Sequence, residues 1–526
     1  MATEKSSAPA RPSAEDHDQD HQHACYEGVV YIGHLVVDDD GEEVEVVEAV
    51  PPVQGRRRVL EKREEKMAKL ERTTFEVSRA SEYFDARQLS ALTGVPQTEF
   101  ASVCLKELVD NSLDACETSG VEPEIGIDVG SSEDAISLTV SDNGPGIPPE
   151  VVHRILDYSV RVSDKAAYRS PTRGAQGNAL KTVIGIPYSL GSREPLIVKA
   201  QGVRHSVAPW VDPAGVVHFD YTSTPEPMEG TTVSLKIPAR VRSADEYGYY
   251  YVQEFDSLHW ARSFAAFNPH ATISYQANGG DTEGREIYKC TLEGEIKKYV
   301  PSQPTSPHWY SADSLKGLIF NHVAHARAGG RDLPLGEFVR QFAGLSSTKK
   351  AREVANPLMA CGYTHLSSFK EKPEMVGELL EAMLRCSKPP KASALGWVGQ
   401  DHFQTFFENV YQEIKEYKYV KRTGTMPSGL PFTFEFALAV LDGPGHLYCG
   451  INFSPTFGDP LQGTTLAGPK FKASGIQGFL SEGHALPKTE SAWYRTPASV
   501  AVAAHIITPA PLFLDRGKTR LDMEGA

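Results

Sequence analysis

The sequence predicts an α+β protein built from several domains, and three observations lead to this fold class. A chain of 526 residues exceeds the usual size of one domain and predicts three or four. Between residues 76 and 240, helix and strand patterns alternate, as in a two-layer α/β sandwich with helices on one face of a mixed sheet. A mostly helical stretch at 301–400 follows, and strand-like alternation returns after residue 403.

Residues 1–75 are predicted to be an acidic, partly disordered extension that includes a strap. Residues 1–24 are polar and poor in large apolar groups, which favours disorder. Mixed charges at 56–72 indicate an exposed helix. That helix is interpreted either as a solubilising face or as a strap that reaches a partner subunit.

Most of the net charge of −15 lies in the first fifty residues, which hold thirteen acids and two bases. The rest of the chain is close to neutral, so nucleic acid as a partner is not excluded. The pattern around Gly33 predicts two short strands, at 29–32 and 35–37. The acidic run at 38–48 is expected to be solvated and disordered, with DNA mimicry as the alternative.

Within residues 76–240, the alternation predicts a pair of strands at 125–129 and 136–140 and a helix at 151–162. A polar lid is predicted at 163–173 and a closing strand at 231–235. Residues 241–300 are predicted to be a linking helix with a small hairpin. Alternation at 432–440 and 447–453 predicts a second α/β domain over 401–526.

The cysteine pattern and the hydropathy of the sequence indicate the cellular compartment in which the protein is expected. The seven cysteines include no Cys-x-x-Cys pair, which indicates a reducing cytoplasm rather than a disulfide framework or a zinc site. The sequence contains no run of about 18 apolar residues, so no membrane span is expected. The polar, acidic start argues against a secretory signal. A cytoplasmic protein is therefore expected.

Three polar residues share one stripe of a predicted helix: Glu107, Asn111 and Asp114, at positions i, i+4 and i+7. Glu107 is the candidate general base, because a carboxylate near a γ-phosphate can orient the attacking water. Asn111 offers a neutral oxygen to Mg²⁺, which prefers oxygen ligands. Asp114 receives no role. The small and apolar residues nearby are expected to pack inward: Cys104, Leu105, Leu108, Val109, Ser112 and Cys116.

Two glycine-containing loops follow that helix. In the first, Asp142 can accept a hydrogen bond from an adenine amino group, and Gly144 and Gly146 allow close approach of the backbone. The second loop resembles a phosphate loop that opens a helix, and comprises Gly174, Ala175, Gln176, Gly177 and Asn178. In the preceding lid, Lys165, Arg169 and Arg173 could add phosphate contacts. Each motif alone is weak, but the three in this order within about 70 residues predict a nucleotide pocket.

These motifs resemble the N, G1 and G2 boxes of the ATPase superfamily of gyrase, Hsp90, histidine kinases and MutL. The closer resemblance is to the B subunit of topoisomerase VI, a type IIB enzyme. It is carried, besides the boxes, by Ser81 to Phe84, Gly230-Thr231, Asn268-Pro269-His270-Ala271, Pro307-His308, Pro390 to Leu395 and Gly517-Lys518. It covers residues 76–520, with 301–400 similar to the family's helix–two-turn–helix domain and 401–526 to its transducer domain.

The resemblance implies an ATP- and Mg²⁺-dependent ATPase subunit of a DNA topoisomerase. It implies that ATP closes two copies into a DNA gate, and that a separate topoisomerase VI A-like subunit cleaves the DNA. Thr231 would line the pocket from the last strand, and Lys518 would contact the γ-phosphate. The alternative interpretation is an ATP-driven DNA clamp without strand cleavage, in plasmid maintenance or defence.

The sequence departs from the family pattern in three places. Ala179 stands where the phosphate loop has its third glycine. The first 75 residues are longer and more acidic than the usual strap. The sequence ends eight residues after Lys518, before the family's long transducer helix. From this we expect either that another polypeptide supplies the helix or that the gate acts without the usual coupling.

Overall fold

The computed structural model describes residues 25–26, 29–37, 43–50, 79–158, 167–173, 179–242, 250–279, 284–292, 298–462, 476, 495–496, 500–513 and 521–522. The chain divides into two compact units, 1–76 and 77–526. In the described part of the chain, no helix is both long enough and apolar enough to cross a membrane.

The first unit contains a three-stranded antiparallel sheet. Its strands are β1 (Cys25–Tyr26), β2 (Val29–Val37) and β3 (Glu43–Val50), in that order. The two short strands predicted around Gly33 are one continuous strand, because Gly33 keeps the register opposite Val47. The acidic run at 38–48 was expected to be disordered, but residues 43–48 lie in β3. The predicted helix at 56–72 lies outside the described residues.

An eight-stranded sheet forms the first half of the second unit. In the chain, two early helices, α1 (Ala86–Thr93) and α2 (Phe100–Ser119), precede its first strand. Its strands are β4 (Glu124–Ser131), β5 (Ala135–Asp142), β6 (Leu196–Ala200), β7 (Val203–Val211), β8 (Val217–Pro225), β9 (Thr231–Pro238), β12 (Thr272–Asn278) and β13 (Gly284–Tyr288). The spatial order is β13-β12-β4-β5-β9-β6-β7-β8, and only β12 and β4 pair in parallel. A separate ribbon joins β10 (Arg240–Arg242) to β11 (Tyr250–Val252).

Helices cover the sheet through a face made of alternating buried residues. The three further helices are α3 (Pro149–Ile155), α4 (Ala179–Ser189) and α5 (Ser257–Phe267). Helix α2 packs on β5, α4 on β9 and α5 on β12. Across the sheet, Ile127 pairs with Val140 and Leu138 with Leu235, and all four are buried. The predicted two-layer α/β sandwich and the predicted strand pair at 125–140 are therefore confirmed.

Two local predictions differ from the structure. The helix predicted at 151–162 begins at Pro149 and ends at Ile155, and the backbone N–H groups of Leu156 and Asp157 close it with bonds to His153 and Arg154. Contacts with α4 follow directly. Lys181 donates to the carbonyl oxygen of Asp157 at 2.6 Å, and the Tyr158 hydroxyl donates to the Lys181 carbonyl at 3.0 Å. The hairpin predicted in the 241–300 linker exists as β12–β13, but it extends the large sheet through the β12–β4 pair.

A helical region and a second sheet complete the unit. The helices are α6 (Ala312–Arg327), α7 (Leu335–Arg340), α8 (Thr348–Ala360), α9 (Met375–Cys386) and α10 (Gln400–Tyr411). The strands are β14 (Glu416–Thr425), β15 (Pro431–Val440), β16 (Gly445–Ile451), β17 (Ser454–Pro455), β18 (Arg495–Thr496) and β19 (Val500–Ile507). Strand β19 is buried along its whole length and lies between β15 and β16. The multidomain α+β class is confirmed.

Candidate active site

Helix α2 carries the predicted polar stripe. Its inward side is buried as predicted: Cys104, Leu105, Leu108, Val109, Ser112 and Cys116. Glu107 is half-buried and Asn111 is exposed, so both side chains remain accessible beside the buried core. The side chain of a helical residue four positions away lies one turn along the same face. Glu107 and Asn111 therefore form a short polar pair on α2.

Asp142 ends strand β5 and lies directly against α2 and β9. Its carboxylate accepts hydrogen bonds from the Ser112 hydroxyl and from the side chain and backbone of Thr231. Thr231 is buried and is the register partner of Asp142 on β9. Burial raises the pKa of Asp142, and these hydrogen bonds oppose the rise. The contacts hold the carboxylate in one orientation.

The loop after Asp142 is tight. The backbone N–H of Gly144 donates to Oδ1 of Asp142 at 2.9 Å. A Cβ on Gly144 would lie 2.9 Å from that oxygen and 3.3 Å from Sγ of Cys116 on α2. Gly146 has a φ of 79°, in the left-handed region that favours glycine. The loop thus brings Asp142 and Gly144 against the helix that carries Glu107 and Asn111, whereas Gly146 lies beside Gln201 and Gly230.

Several predicted residues lie outside the described part of the chain. They are Lys165 of the lid, the whole predicted phosphate loop (Gly174, Ala175, Gln176, Gly177 and Asn178) and Lys518. Their roles stay predictions. Helix α4 begins at Ala179, directly after the predicted phosphate loop. Its start therefore agrees with the expectation that this loop opens a helix.

Arg173 occupies a different environment from the one predicted. The sequence predicted a lid residue that could contact phosphate, but its side chain is fully buried against α2. Its Nη1 lies 2.7 Å from Glu117 and 3.4 Å from Asp114, and its Nε lies 3.5 Å from Asp110. A phosphate contact would require it to leave three carboxylates, because a buried guanidinium needs these partners. Asp114, which had no predicted role, is one of them.

The same cluster contains further residues that the sequence did not single out for a function. Glu117 also accepts hydrogen bonds from Lys298 and from Nε2 of His270. Burial alone would raise the pKa of Glu117, but Arg173 and Lys298 outweigh it and hold that pKa well below its usual range. Arg173 also donates to Asn268. Asn268 and His270 belong to the Asn-Pro-His-Ala motif, and this motif was the sequence feature that could have indicated their place in the cluster.

Helix α2, the Asp142 loop and strand β9 lie in a segment that matches a known protein family. Residues 98–241 match a family described as histidine kinase-, DNA gyrase B-, and HSP90-like ATPase. The match begins just before α2, contains the Asp142 loop and Thr231, and ends after β9. This part of the chain is therefore similar to the ATPase domains of that class.

The wider chain is similar to the B subunit of type 2 DNA topoisomerase 6, as the motifs predict. The protein of that name from Halobacterium salinarum is 26% identical over 242 residues, which cover 43% of this chain and 28% of the relative. The one from Archaeoglobus fulgidus is 25% identical over 355 residues, 64% of this chain and 53% of the relative. The matched part thus spans about a quarter to a half of these relatives. The ATPase region of Saccharomyces cerevisiae topoisomerase II aligns with a TM-score of 0.33 and 11% identity, over 94% of this chain and 83% of that one.

Proposed function

We propose that the chain binds and hydrolyses ATP in a pocket between α2, the Asp142 loop and the start of β9. The single observation that carries this proposal is the convergence of α2, Asp142 and Thr231 inside the segment that matches the ATPase family. Asp142 would accept a hydrogen bond from the adenine amino group, and Thr231 would line the pocket beside it. Gly144 and Gly146 would let the loop approach the base.

Glu107 is proposed as the general base that orients the attacking water. Its support is its half-buried position on α2, one turn before Asn111. Asn111 would contribute its side-chain oxygen to Mg²⁺, which in nucleotide sites is held largely by phosphates and waters. The exposed position of the Asn111 amide fits this weak, single-ligand role. The metal would neutralise phosphate charge as it develops.

The remaining site proposals concern residues outside the described ranges. Gly174, Ala175, Gln176, Gly177 and Asn178 would cradle the phosphates with backbone N–H groups at the start of α4. Lys165 would add a phosphate contact from the lid. Lys518 would bind the γ-phosphate and stabilise the charged transition state. Support for these roles comes from the sequence motifs.

Substitution of Asp142 tests the proposed hydrogen bond from the adenine amino group. Asp142→Asn keeps the size of the side chain but replaces one acceptor by a donor. We expect ATP affinity to fall about 10-fold or more, because a hydrogen bond to a charged group contributes about 1.5–3 kcal/mol. The preference for ATP over GTP should narrow as well, since guanine has a carbonyl where adenine has its amino group. Equilibrium binding of fluorescent ATP, with ATP and GTP as competitors, measures both quantities.

The matched control is Asp128→Asn, the same exchange at an exposed position of the neighbouring strand β4. It should leave ATP affinity and the ATP preference unchanged. An Asp142→Asn variant that keeps the wild-type preference for ATP over GTP would exclude Asp142 as the adenine contact.

We further propose that this ATPase drives a type IIB topoisomerase-like complex. The relatives are named as the B subunit of a type 2 DNA topoisomerase, which supports DNA as the substrate and a separate A-like subunit for cleavage. ATP would join two copies of the chain into a gate. The helical region at 301–400 would correspond to a helix–two-turn–helix domain and residues 401–526 to a transducer domain.

Supercoil relaxation tests the complex. The chain is mixed with a candidate topoisomerase VI A-like subunit and negatively supercoiled plasmid, with and without ATP. We expect relaxation only when both subunits and ATP are present. Robust ATP hydrolysis without relaxation by any candidate partner would contradict the topoisomerase proposal and favour a DNA clamp without cleavage.

A further inference from the structure

A turn of the second sheet bonds directly to the charge cluster on α2. The turn comprises Asn452, Phe453 and Ser454, where β16 leads into β17. The Phe453 carbonyl oxygen accepts from Nε of Arg173 at 3.3 Å and from Nδ2 of Asn268 at 3.1 Å. The Ser454 hydroxyl donates to Oδ2 of Asp110 at 2.7 Å. The second sheet and α2 are therefore joined by one buried polar network.

The backbone of this turn places a phenylalanine in an uncommon conformation. Asn452 has a φ of 51° and Phe453 a φ of 66°, so two consecutive non-glycine residues lie in the left-handed region. Positive φ at both positions is usual in a two-residue hairpin loop, and asparagine adopts it readily, whereas phenylalanine does so only where its surroundings hold it. The conformation at Phe453 therefore depends on its bonding partners.

Two groups of contacts hold the turn, one from each side. From its own sheet, the Asn452 side chain exchanges two hydrogen bonds with the backbone of Thr508, at 2.9 and 3.0 Å, and His505 accepts from the Phe453 N–H at 3.0 Å. From the ATPase side, it is held by Arg173, Asn268 and Asp110. A change on the ATPase side would remove the three hydrogen bonds that Arg173, Asn268 and Asp110 make with the turn.

Asp110 connects this turn with the proposed nucleotide side chains. It lies on α2 between Glu107 and Asn111, and α2 is one regular helix over Phe100–Ser119. A displacement of that helix on nucleotide binding therefore moves Asp110 with it. Asp110 also pairs with Lys106 at 2.7 Å, so its position is fixed to the helix surface.

We propose that Asp110, Arg173 and Ser454 are positioning residues that couple nucleotide binding on α2 to the conformation of the 452–454 turn. The proposal rests on the ATP site proposed above. The link is separate from the role proposed for Lys518, since it involves neither that residue nor the phosphates. Coupling between two sites is reciprocal, so the turn also biases nucleotide affinity.

Ser454→Ala tests the link with a small change. The variant loses one hydroxyl, while Asp110 keeps Lys106 and Arg173, so the fold should be retained. Hydrogen exchange of the amides at 450–456 is measured with and without Mg²⁺ and a non-hydrolysable ATP analogue, beside analogue affinity and the thermal midpoint. In the wild type, we expect the analogue to change exchange of these amides by about five-fold or more. In Ser454→Ala, that change should fall at least by half while the thermal midpoint stays near the wild-type value.

The matched control is Ser387→Ala, which removes a buried hydroxyl bonded to Met383 and His308 in the helical region. It should respond to the analogue like the wild type. An analogue that binds the wild type without changing exchange at 450–456 would overturn the coupling, as would an unchanged response in Ser454→Ala. Failure of the wild type to bind the analogue would instead contradict the ATP site and, with it, the coupling.

Discussion

At the scale of single residues, helix α2 carries two adjacent sets of polar side chains. Glu107 and Asn111 are accessible, whereas Asp110, Asp114 and Glu117 face the buried Arg173. Helical spacing could predict the first set and the inward apolar side. It could not predict the second, because burial of Arg173 depends on residues about 60 to 280 positions away, such as Glu117 and Phe453. A charged residue next to a glycine-rich loop is normally solvated.

His270 makes stability sensitive to acid. Burial lowers its pKa from 6.5 to about 4, against the hydrogen bond to Glu117. Below pH 6.5 the unfolded chain binds a proton that folded His270 does not, so stability decreases as pH falls from 6.5 towards 4. Between pH 7.5 and 5 this amounts to about 2 kcal/mol for His270. His270→Gln keeps a donor for Glu117 and should reduce the pH dependence of the unfolding free energy by that amount.

Urea unfolding at pH 7.5 and pH 5 provides the measurement. Part of the pH dependence should persist in His270→Gln, because burial also lowers the pKa of His402 to about 4. The exposed His325 supplies the control, and His325→Gln should behave like the wild type. Equal pH dependence in wild type and His270→Gln would show that the unfolding free energy is not linked to this imidazole.

At the scale of secondary structure, the alternation of apolar residues predicted strand pairs correctly where the two strands are neighbours in the chain. The alternation at 125–140 predicted β4 and β5, which are hairpin neighbours. The parallel pairing of β12 with β4 joins residues about 150 positions apart, and no local pattern specifies it. The predicted single strand at 231–235 was also correct, but its register against Asp142 came only from the structure.

The register of β9 against β5 depends on Gly230. Its φ is 73°, and a Cβ there would collide with the carbonyl oxygen of Asp142. Gly230→Ala should therefore displace Asp142 and Thr231, lowering both the thermal midpoint and ATP affinity. The backbone strain alone is about 1 kcal/mol, and the collision adds about 1–3 kcal/mol. Thermal unfolding and ATP titration measure the two effects.

Gly202 offers a matched control, because its φ of 76° is similar but a Cβ would meet nothing within 4 Å. Gly202→Ala should lower the thermal midpoint slightly and leave ATP affinity unchanged. If Gly230→Ala and Gly202→Ala lose equal stability and both keep wild-type ATP affinity, the β5–β9 contact does not support the pocket.

At the scale of the whole molecule, the resemblance predicted the order of an ATPase region, a helical region and a second sheet. The structure has these regions in that order, while the exact domain boundaries stay predictions. The large sheet continues to Tyr288, so composition alone did not reveal where the first half ends. Boundaries depend on which elements share a core, and buried contacts between distant segments decide this.

The central claim is that the chain hydrolyses ATP with Glu107 as the base. The most direct measurement is ATP turnover by the wild type and by Glu107→Ala, with ATP affinity determined on the same samples. We expect the variant to keep wild-type affinity within a few-fold and to lose about 10²- to 10⁴-fold in turnover, as for removal of a positioned base. Unchanged turnover in Glu107→Ala, or no ATP binding by the wild type, would contradict the account.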